Sequence, residues 1–265
     1  MAAIPFPRLA APPPLWREAL VGLEPAALLR SAVFRGEGVA DGRGQPVLLV
    51  PGFLAGDGSL GLMTQWLRRT GHHTRRAGIR LNVNCAAKAV DSIEQRLEEL
   101  VERQGRPAVI IGQSRGGTFA KALAHRRPEL VSGIVTLGSP HLAPLRVHPL
   151  VAAQVIAVGA VGTLGVPGLF RRSCLTGECC CGFREACAAP LPPYVGFVSV
   201  YSRRDGIVDW RACLDPDAEQ VEVRASHLGM GLNPGTYRAV ADALADFRRR
   251  EARPAGRVSS LSQAA

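Results

Sequence analysis

The sequence predicts an α/β fold in which a mostly parallel sheet is covered by helices on both faces. The chain has 265 residues, 47% of them hydrophobic and 20% charged, which is enough apolar material for one large core. From Pro46 onward, short continuous apolar runs alternate with longer segments whose apolar residues recur at helical spacing. This alternation is typical of buried parallel strands joined by crossover helices.

The chain divides into three parts by composition. We expect an N-terminal arm and helices over residues 1–45, an α/β domain over 46–250 and a disordered tail over 251–265. The arm is rich in proline and precedes a helical pattern that carries Trp16, Leu20 and Leu23 on one face. We identify no catalytic residue in this first part.

Within the α/β domain, short apolar runs predict the strands and helical periodicity predicts the helices between them. The clearest helix covers 88–104, with Val90, Ile93 and Leu97 on one face and charged residues on the other. Further helices are expected after the first strand, at 116–126 and at the end of the domain. The predicted strands are 47–50, 73–79, 108–111, 133–137, 196–202 and 221–224.

A long interruption separates two of these strands and predicts a cap or lid over residues 141–193. Within it, residues 150–170 carry no charge, which raises the question of a membrane span. Gln154, several glycines and Pro167 lie in the run, and the flanking strands must pair in one sheet. We therefore expect an apolar lid helix or a substrate-facing wall rather than a transmembrane helix.

The formal net charge of +10 would fit a protein that binds nucleic acid, so the positions of the basic residues matter. Arginine pairs occur in several separate segments, and no aromatic residues alternate with them to stack on bases. The pattern indicates an arginine-rich surface and no nucleic-acid partner. The N-terminus lacks the features of a secretory signal, which favours a cytoplasmic location.

A nucleophile motif lies between a predicted strand and a predicted helix. Residues 112–116 read Gly-Gln-Ser-Arg-Gly and match G-x-S-x-G, in which a tight strand-to-helix turn exposes the serine hydroxyl. A Cβ at Gly112 or Gly116 would collide with neighbouring chain in such a turn. The motif makes Ser114 the candidate nucleophile.

A second motif, Pro51-Gly52-Phe53, ends the first apolar strand. There the chain can turn back over the nucleophile, so that the backbone N–H groups of Phe53 and Arg115 form an oxyanion hole. The alternative is an ordinary Pro-Gly turn at a strand end.

The candidate acid and base follow the last two predicted strands. Asp205 comes first after one of them and precedes a glycine, while Asp209 and Asp215 lie near enough in sequence to compete for the role. Of the six histidines, His227 alone lies after both the serine and the aspartate. This order, Ser-Asp-His, predicts that His227 is the base and Asp205 the acid that orients it.

With these motifs the chain resembles the α/β-hydrolase superfamily, and within it the bacterial lipase and esterase branch, over Pro46 to the closing helix. Residues 138–141 and the Ser226-His227 pair add to the resemblance, and Pro51 departs from it because relatives often have histidine there. The resemblance implies an acyl-enzyme on Ser114 that water releases, without a metal or an organic cofactor. Leu54, Gln113 and Leu228, next to the motifs, are the candidate substrate contacts.

Five of the seven cysteines lie in one short part of the predicted cap: Cys174, Cys179, Cys180, Cys181 and Cys187. They lack the paired C-x-x-C spacing of a zinc site, so we expect no metal. Disulfides within the cap and free thiols both remain open.

Hydrolysis of a small-molecule or lipid ester with an apolar acyl chain is the function that we expect, with peripheral contact to a membrane or lipid surface as an option. An acyltransferase that uses the same acyl-Ser114 and a catalytically silent binding protein of the same fold are the alternatives. Nothing in the sequence predicts the oligomeric state.

Overall fold

The structure of the protein is a computed structural model that describes residues 12–141, 143–176 and 178–252. From residue 253 on, the expected disordered tail lies outside the described residues. The same is true of residues 1–11 of the proline-rich arm.

The described residues form one six-stranded sheet in which every neighbouring pair of strands is parallel. Along the sheet the strands lie in the order β2-β1-β3-β4-β5-β6. Together with the helices that flank it, this sheet confirms the predicted fold class. The strands are β1 (Pro46–Val50), β2 (His73–Arg76), β3 (Ala108–Gln113), β4 (Val131–Leu137), β5 (Gly196–Tyr201) and β6 (Glu219–Glu222).

Nine α-helices are present in the described part of the chain: α1 (Glu24–Arg30), α2 (Ala32–Arg35), α3 (Gly61–Arg69), α4 (Ala86–Gln104), α5 (Arg115–Arg126), α6 (Pro149–Thr163), α7 (Arg172–Thr176), α8 (Cys181–Ala188) and α9 (Pro234–Ala252). Short 3-10 helices cover Leu15–Gly22, Asp57–Leu60, Pro128–Leu130, Glu178–Cys180, Trp210–Cys213 and Met230–Leu232.

The sheet separates two hydrophobic clusters because its central strands are apolar on both faces. On one face, α1, α2, α3 and α9 contribute buried side chains such as Trp66 and Phe247. On the other face, α4, α5 and the segment between β4 and β5 contribute Ile93, Phe119 and Phe170. All residues of β1 and β3 are buried, as expected for strands covered on both sides.

The segment that carries α6, α7 and α8 connects β4 to β5, at the position predicted for a cap. Near its start, Val147 forms an isolated bridge with Val208, and at the end of the apolar run the Phe170 N–H donates to the Val83 carbonyl (2.7 Å). The run is therefore attached to the rest of the molecule at both ends. Among the described residues, no helix is long and apolar enough to cross a membrane.

The N-terminal segment differs from the expectation. Trp16 and Leu23, expected on one apolar face, are 75% and 70% exposed, whereas Glu18 is buried. The helix over Leu15–Gly22 is a 3-10 helix, which has three residues per turn and so distributes its side chains differently from an α-helix. Its buried side faces backbone N–H groups of two loops, for which a carboxylate is the suitable partner.

Candidate active site

Ser114 lies at the turn between β3 and α5 in a conformation that L-residues rarely adopt, with φ 51° and ψ −121°. Its N–H donates to the Leu137 carbonyl at the end of β4 (2.8 Å). The side chain is half-buried. Such strain is retained where the surroundings impose it, and it is common at nucleophile turns.

Two glycines make this turn possible because neighbouring backbone comes too close for a side chain. A Cβ at Gly112 would collide with the carbonyl of Gly116, and a Cβ at Gly116 would collide with the carbonyl of Val50. The expected collisions are therefore present. Without side chains at these two positions, the start of α5 can lie against the end of β1. The N-terminus of α5 therefore points toward Ser114.

His227 and Asp205 form a buried pair after the last two strands. His227 Nδ1 is 2.7 Å from Asp205 Oδ2. The other carboxylate oxygen, Oδ1, accepts hydrogen bonds from the N–H groups of Ile207 (2.8 Å) and Val208 (2.7 Å). One oxygen is thus fixed by the backbone and the other is directed at the imidazole, which leaves Nε2 for proton transfer.

The competing carboxylates have other partners. Asp209 pairs with Arg146 (2.8 Å) and Arg211 (3.4 Å), and Asp215 forms a buried pair with Lys121. Among the described residues, His227 is the one histidine that forms an ion-pair contact with a carboxylate. The geometry therefore favours Asp205 as the residue that orients the imidazole.

Two opposing effects act on the pKa of His227. Burial disfavours the imidazolium and lowers the pKa, whereas the charge and hydrogen bond of Asp205, with a smaller contribution from the charge of Glu18, raise it. The pKa ends above its ordinary value. The site therefore stabilises the imidazolium that forms when the base accepts a proton.

The serine and the histidine meet at the carboxyl ends of β3 and β4. The side-chain amide of Gln113 donates to the His227 carbonyl (3.1 Å), and a Cβ on Gly138, the residue after β4, would lie 3.1 Å from His227 Nδ1. Among the described residues, no hydrogen bond joins the Ser114 hydroxyl to His227. In free enzymes such contacts are often long and shorten only when substrate is bound.

The candidate oxyanion hole lies between β1 and α5. A Cβ on Gly52 would be 3.2 Å from Ser114 Cβ, so the loop after β1 passes directly beside Ser114. Within the described residues, the N–H groups of Phe53 and Arg115 donate to no other group. Both are therefore available to an oxyanion.

The side chain of Arg115 braces that loop from outside. Its guanidinium donates to the carbonyl and side-chain oxygens of Asn82 (3.1 and 3.0 Å) and to the Asn84 carbonyl (2.7 Å). The amide of Asn82 in turn donates to the Pro51 carbonyl (2.8 Å). Desolvation lowers the pKa of Arg115 to about 10, so the side chain remains charged at neutral pH.

One side chain that the sequence did not indicate, the carboxylate of Glu18, binds both the loop of Asp205 and the loop of His227. Glu18, in the N-terminal 3-10 helix, accepts hydrogen bonds from the N–H groups of Gly206 (2.8 Å), His227 (2.9 Å) and Leu228 (2.9 Å). No local signal marks this glutamate, because its partners follow 188 to 210 positions later in the chain.

Glu24, the first residue of α1, binds the neighbouring part of the His227 loop in a similar way. It accepts from the N–H of Ser226 (2.9 Å), the Ser226 hydroxyl (2.5 Å) and the Asn233 amide (3.2 Å). Both glutamates are buried. The N-terminal segment, in which no catalytic residue was identified, thus positions the residue on each side of His227.

The three candidate substrate contacts have different environments. Leu54 and Leu228 are exposed apolar side chains, 40% and 55% accessible, on the loops that carry Phe53 and His227. Leu54 also has a positive φ of 57°. Gln113 is buried and its amide is used by the His227 carbonyl, so it contacts the base loop.

The apolar segment lies between the acid loop and the oxyanion loop. Where it begins, the N–H of His148 donates to the Ile207 carbonyl (2.6 Å), beside Asp205. Where it ends, the ring of Phe170 packs on Phe53 with centroids 6.3 Å apart. The segment therefore connects the two sides of the candidate site.

One grouping of the described residues has the geometry to hold a metal ion, and it consists of Cys85, Cys174, Cys179 and Cys180. It includes none of the residues that surround Ser114 and His227.

No family model matches the chain. The lipase BlEst2 of Bacillus licheniformis in its mature form has 15% identity and a TM-score of 0.58 over 78% of this chain and 94% of that chain. A soluble variant of monoglyceride lipase from Saccharomyces cerevisiae, in complex with a substrate analog, has 16% identity and a TM-score of 0.54 over 81% and 88%. An alpha/beta hydrolase enzyme from a metagenome of lagoon sediments at Mar Chica, Morocco, has 17% identity and a TM-score of 0.50 over 78% and 92%. With this sheet and these structural neighbours, the chain has the α/β-hydrolase fold that its motifs indicated.

Proposed function

We propose that the protein is a serine hydrolase that cleaves carboxylic esters through an acyl-enzyme on Ser114. The observation that carries the proposal is the buried His227–Asp205 pair, which lies at the same sheet edge as a serine in a strained turn. The likeness to lipases and esterases supports the same reaction class through the shared fold.

In the proposed mechanism, Ser114 Oγ attacks the ester carbonyl while His227 Nε2 accepts its proton. Asp205 holds the Nδ1–H and stabilises the imidazolium. The N–H groups of Phe53 and Arg115 bind the oxyanion. The imidazolium then gives its proton to the departing alkoxide, and a water activated by His227 hydrolyses the acyl-enzyme.

The surroundings of the site favour an ester with an apolar acyl chain. Helix α6 carries no charged residue and is mostly apolar, and its inner side chains Val155 and Val158 pack in the same cluster as Phe53. Its outer side exposes Leu150, Ile156 and Val161. We propose that the inner side covers the acyl chain and that the outer side contacts a lipid surface, with Arg171 and Arg172 directly after the uncharged run of residues 150–170.

A fluorophosphonate probe tests the nucleophile directly, because it reacts only with an activated serine. We expect the wild type to be labelled and to hydrolyse p-nitrophenyl esters, and Ser114→Ala and His227→Ala to lose both properties while remaining folded. Ser59→Ala, which alters an exposed serine, is the matched control. An unlabelled wild type would make the protein a silent member of its fold, and residual turnover in Ser114→Ala would move the nucleophile elsewhere.

A further inference from the structure

Four cysteine side chains meet where the cap contacts the start of α4, although they come from two distant parts of the sequence. Cys85 immediately precedes α4, whereas Cys174 lies in α7, and Cys179 and Cys180 lie in the short helix that follows. The four sulfur atoms all lie within 4.8 Å of one another. Cys85 Sγ is 3.6 Å and Cys179 Sγ is 3.8 Å from Cys180 Sγ.

These distances fit a tetrahedral metal site. Zinc–thiolate bonds of about 2.3 Å place the sulfurs of a regular tetrahedron about 3.8 Å apart, whereas a disulfide requires a separation of about 2.0 Å. We propose that Cys85, Cys174, Cys179 and Cys180 bind one zinc ion as four thiolates. This replaces our expectation of no metal, which considered only the cysteines of the cap and so omitted the fourth ligand, Cys85.

The charges around the four cysteines favour the negatively charged complex that zinc forms with four thiolates. Zn²⁺ with four thiolates carries a net charge of −2, and binding releases the four thiol protons to solvent. The guanidinium of Arg115 lies close enough to Cys85, Cys174 and Cys180 to interact with them electrostatically. Among the described residues, Arg115 has no carboxylate partner, since its hydrogen bonds go to oxygens of Asn82 and Asn84.

Backbone N–H groups add to this environment. The N–H of Arg171 donates to Cys174 Sγ (3.4 Å), and the N–H groups of Ala87 and Lys88, in the first turn of α4, approach Cys85. Amides at a helix N-terminus stabilise a thiolate. The site is therefore supported by fixed dipoles as well as by a cation.

All four ligands belong to the protein, so no position remains open for substrate and the role of the zinc is structural. The ion would fasten the cap to the N-terminus of α4. Cys85 follows Asn82 and Val83, which bind the Leu54 N–H and the Phe170 N–H respectively. The zinc site would thus anchor the cap next to the candidate oxyanion loop, whatever reaction occurs there.

The test is the metal content of the full chain, expressed with zinc and purified under reducing conditions. We expect about one zinc per chain by elemental analysis, and replacement by Co²⁺ should give the charge-transfer and d–d bands of a tetrahedral tetrathiolate site. Cys85→Ser and Cys174→Ser should lose the ion. Cys187→Ser, in the same cap but with its sulfur directed at the Thr118 carbonyl, should retain it.

A conservative variant separates loss of a ligand from loss of folding. Cys174→His keeps a zinc-binding side chain at a partly exposed position and should restore zinc that Cys174→Ser lacks. A wild type that binds neither zinc nor cobalt after reduction would overturn the proposal. A stoichiometric amount of iron, or disulfides among the four cysteines in the freshly purified protein, would overturn it as well.

Discussion

The carboxylate of Asp205 differs from that of Asp209 in the hydrogen bonds that it accepts. Asp205 receives two backbone N–H bonds on one oxygen and the imidazole on the other, whereas Asp209, buried on the same loop, pairs with Arg146 and Arg211. From the sequence, Asp205 was preferred over Asp209 because it comes first after the strand and precedes a glycine. The hydrogen bonds distinguish them because just one of the two carboxylates can fix the imidazole tautomer.

Asp205→Asn should lower kcat by about 10⁴-fold, because an amide cannot hold His227 in its working tautomer. Asp209→Asn should change kcat little, since the residue still accepts from the Arg211 N–H through its side-chain oxygen. Steady-state kinetics on a soluble p-nitrophenyl ester makes the comparison. The reverse ranking would assign the acid to Asp209.

Among secondary-structure elements, the N-terminal 3-10 helix influences the base through Glu18. Because the charge of Glu18 helps to raise the pKa of His227, and the base must be neutral to act, activity should fall as the pH drops through that raised pKa. In Glu18→Gln the pKa should be lower, so the acid limb of kcat/KM should shift to lower pH. The pH–rate profile measures this shift.

The same substitution should reduce stability by about 1–3 kcal/mol, because a glutamine amide cannot accept all three N–H groups and would face one of them with its own donor. Glu37→Gln, at an exposed glutamate in the same part of the chain, is the control for both measurements. If the two variants have the same acid limb, Glu18 has only a structural role.

Helix α6 should set the preferred acyl length from its inner side. Each methylene buried contributes about 0.8 kcal/mol, or about fourfold in specificity, so medium and long acyl chains should be preferred over acetate. Val155→Phe should shorten the preferred chain because it fills the inner side, and Ile156→Phe, on the exposed side, should not. A series of p-nitrophenyl esters decides this. Acetate as the best substrate would mean that α6 is simply a packed helix.

In the whole molecule, the buried imidazole of His141 should couple the stability of the fold to pH. Burial lowers the pKa of His141 to about 4; the charge of Asp215 opposes this shift, and that of Lys121 adds to it. The folded state therefore prefers the neutral ring. The stabilisation is complete above the ordinary pKa of about 6.5 and is lost as the pH falls toward 4, a change of about 3 kcal/mol.

Thermal unfolding at about pH 7.5 and about pH 5 should reveal this dependence. His141→Gln cannot titrate, so the difference in Tm between the two conditions should be smaller than in the wild type. His125→Gln, at an exposed position, should leave the difference unchanged. Equal differences in all three proteins would mean that His141 does not determine the acid sensitivity.

The sequence predicted those features that depend on residues close together in the chain. The parallel sheet follows from continuous apolar runs, and the turn around Ser114 follows from two glycines and a strand-to-helix boundary. The contacts of Glu18, Glu24 and Cys85 could not be predicted in this way, because their partners lie far away in the chain; Cys180, for example, is 95 positions from Cys85. The strand expected at 221–224 lies at Glu219–Glu222, since pairing with β5 determines its register.

The distance between Glu18 and its partners also has a consequence for biosynthesis. The chain grows from its N-terminus at about 5–20 residues per second, so Glu18 is synthesised roughly 10 to 40 seconds before Gly206, His227 and Leu228. Until those residues are made, the carboxylate of Glu18 lacks the three backbone N–H groups that it binds in the folded protein. The strands β1 to β5 are therefore made before the loop of His227, and a fully positioned base is expected only after Leu228 has been synthesised.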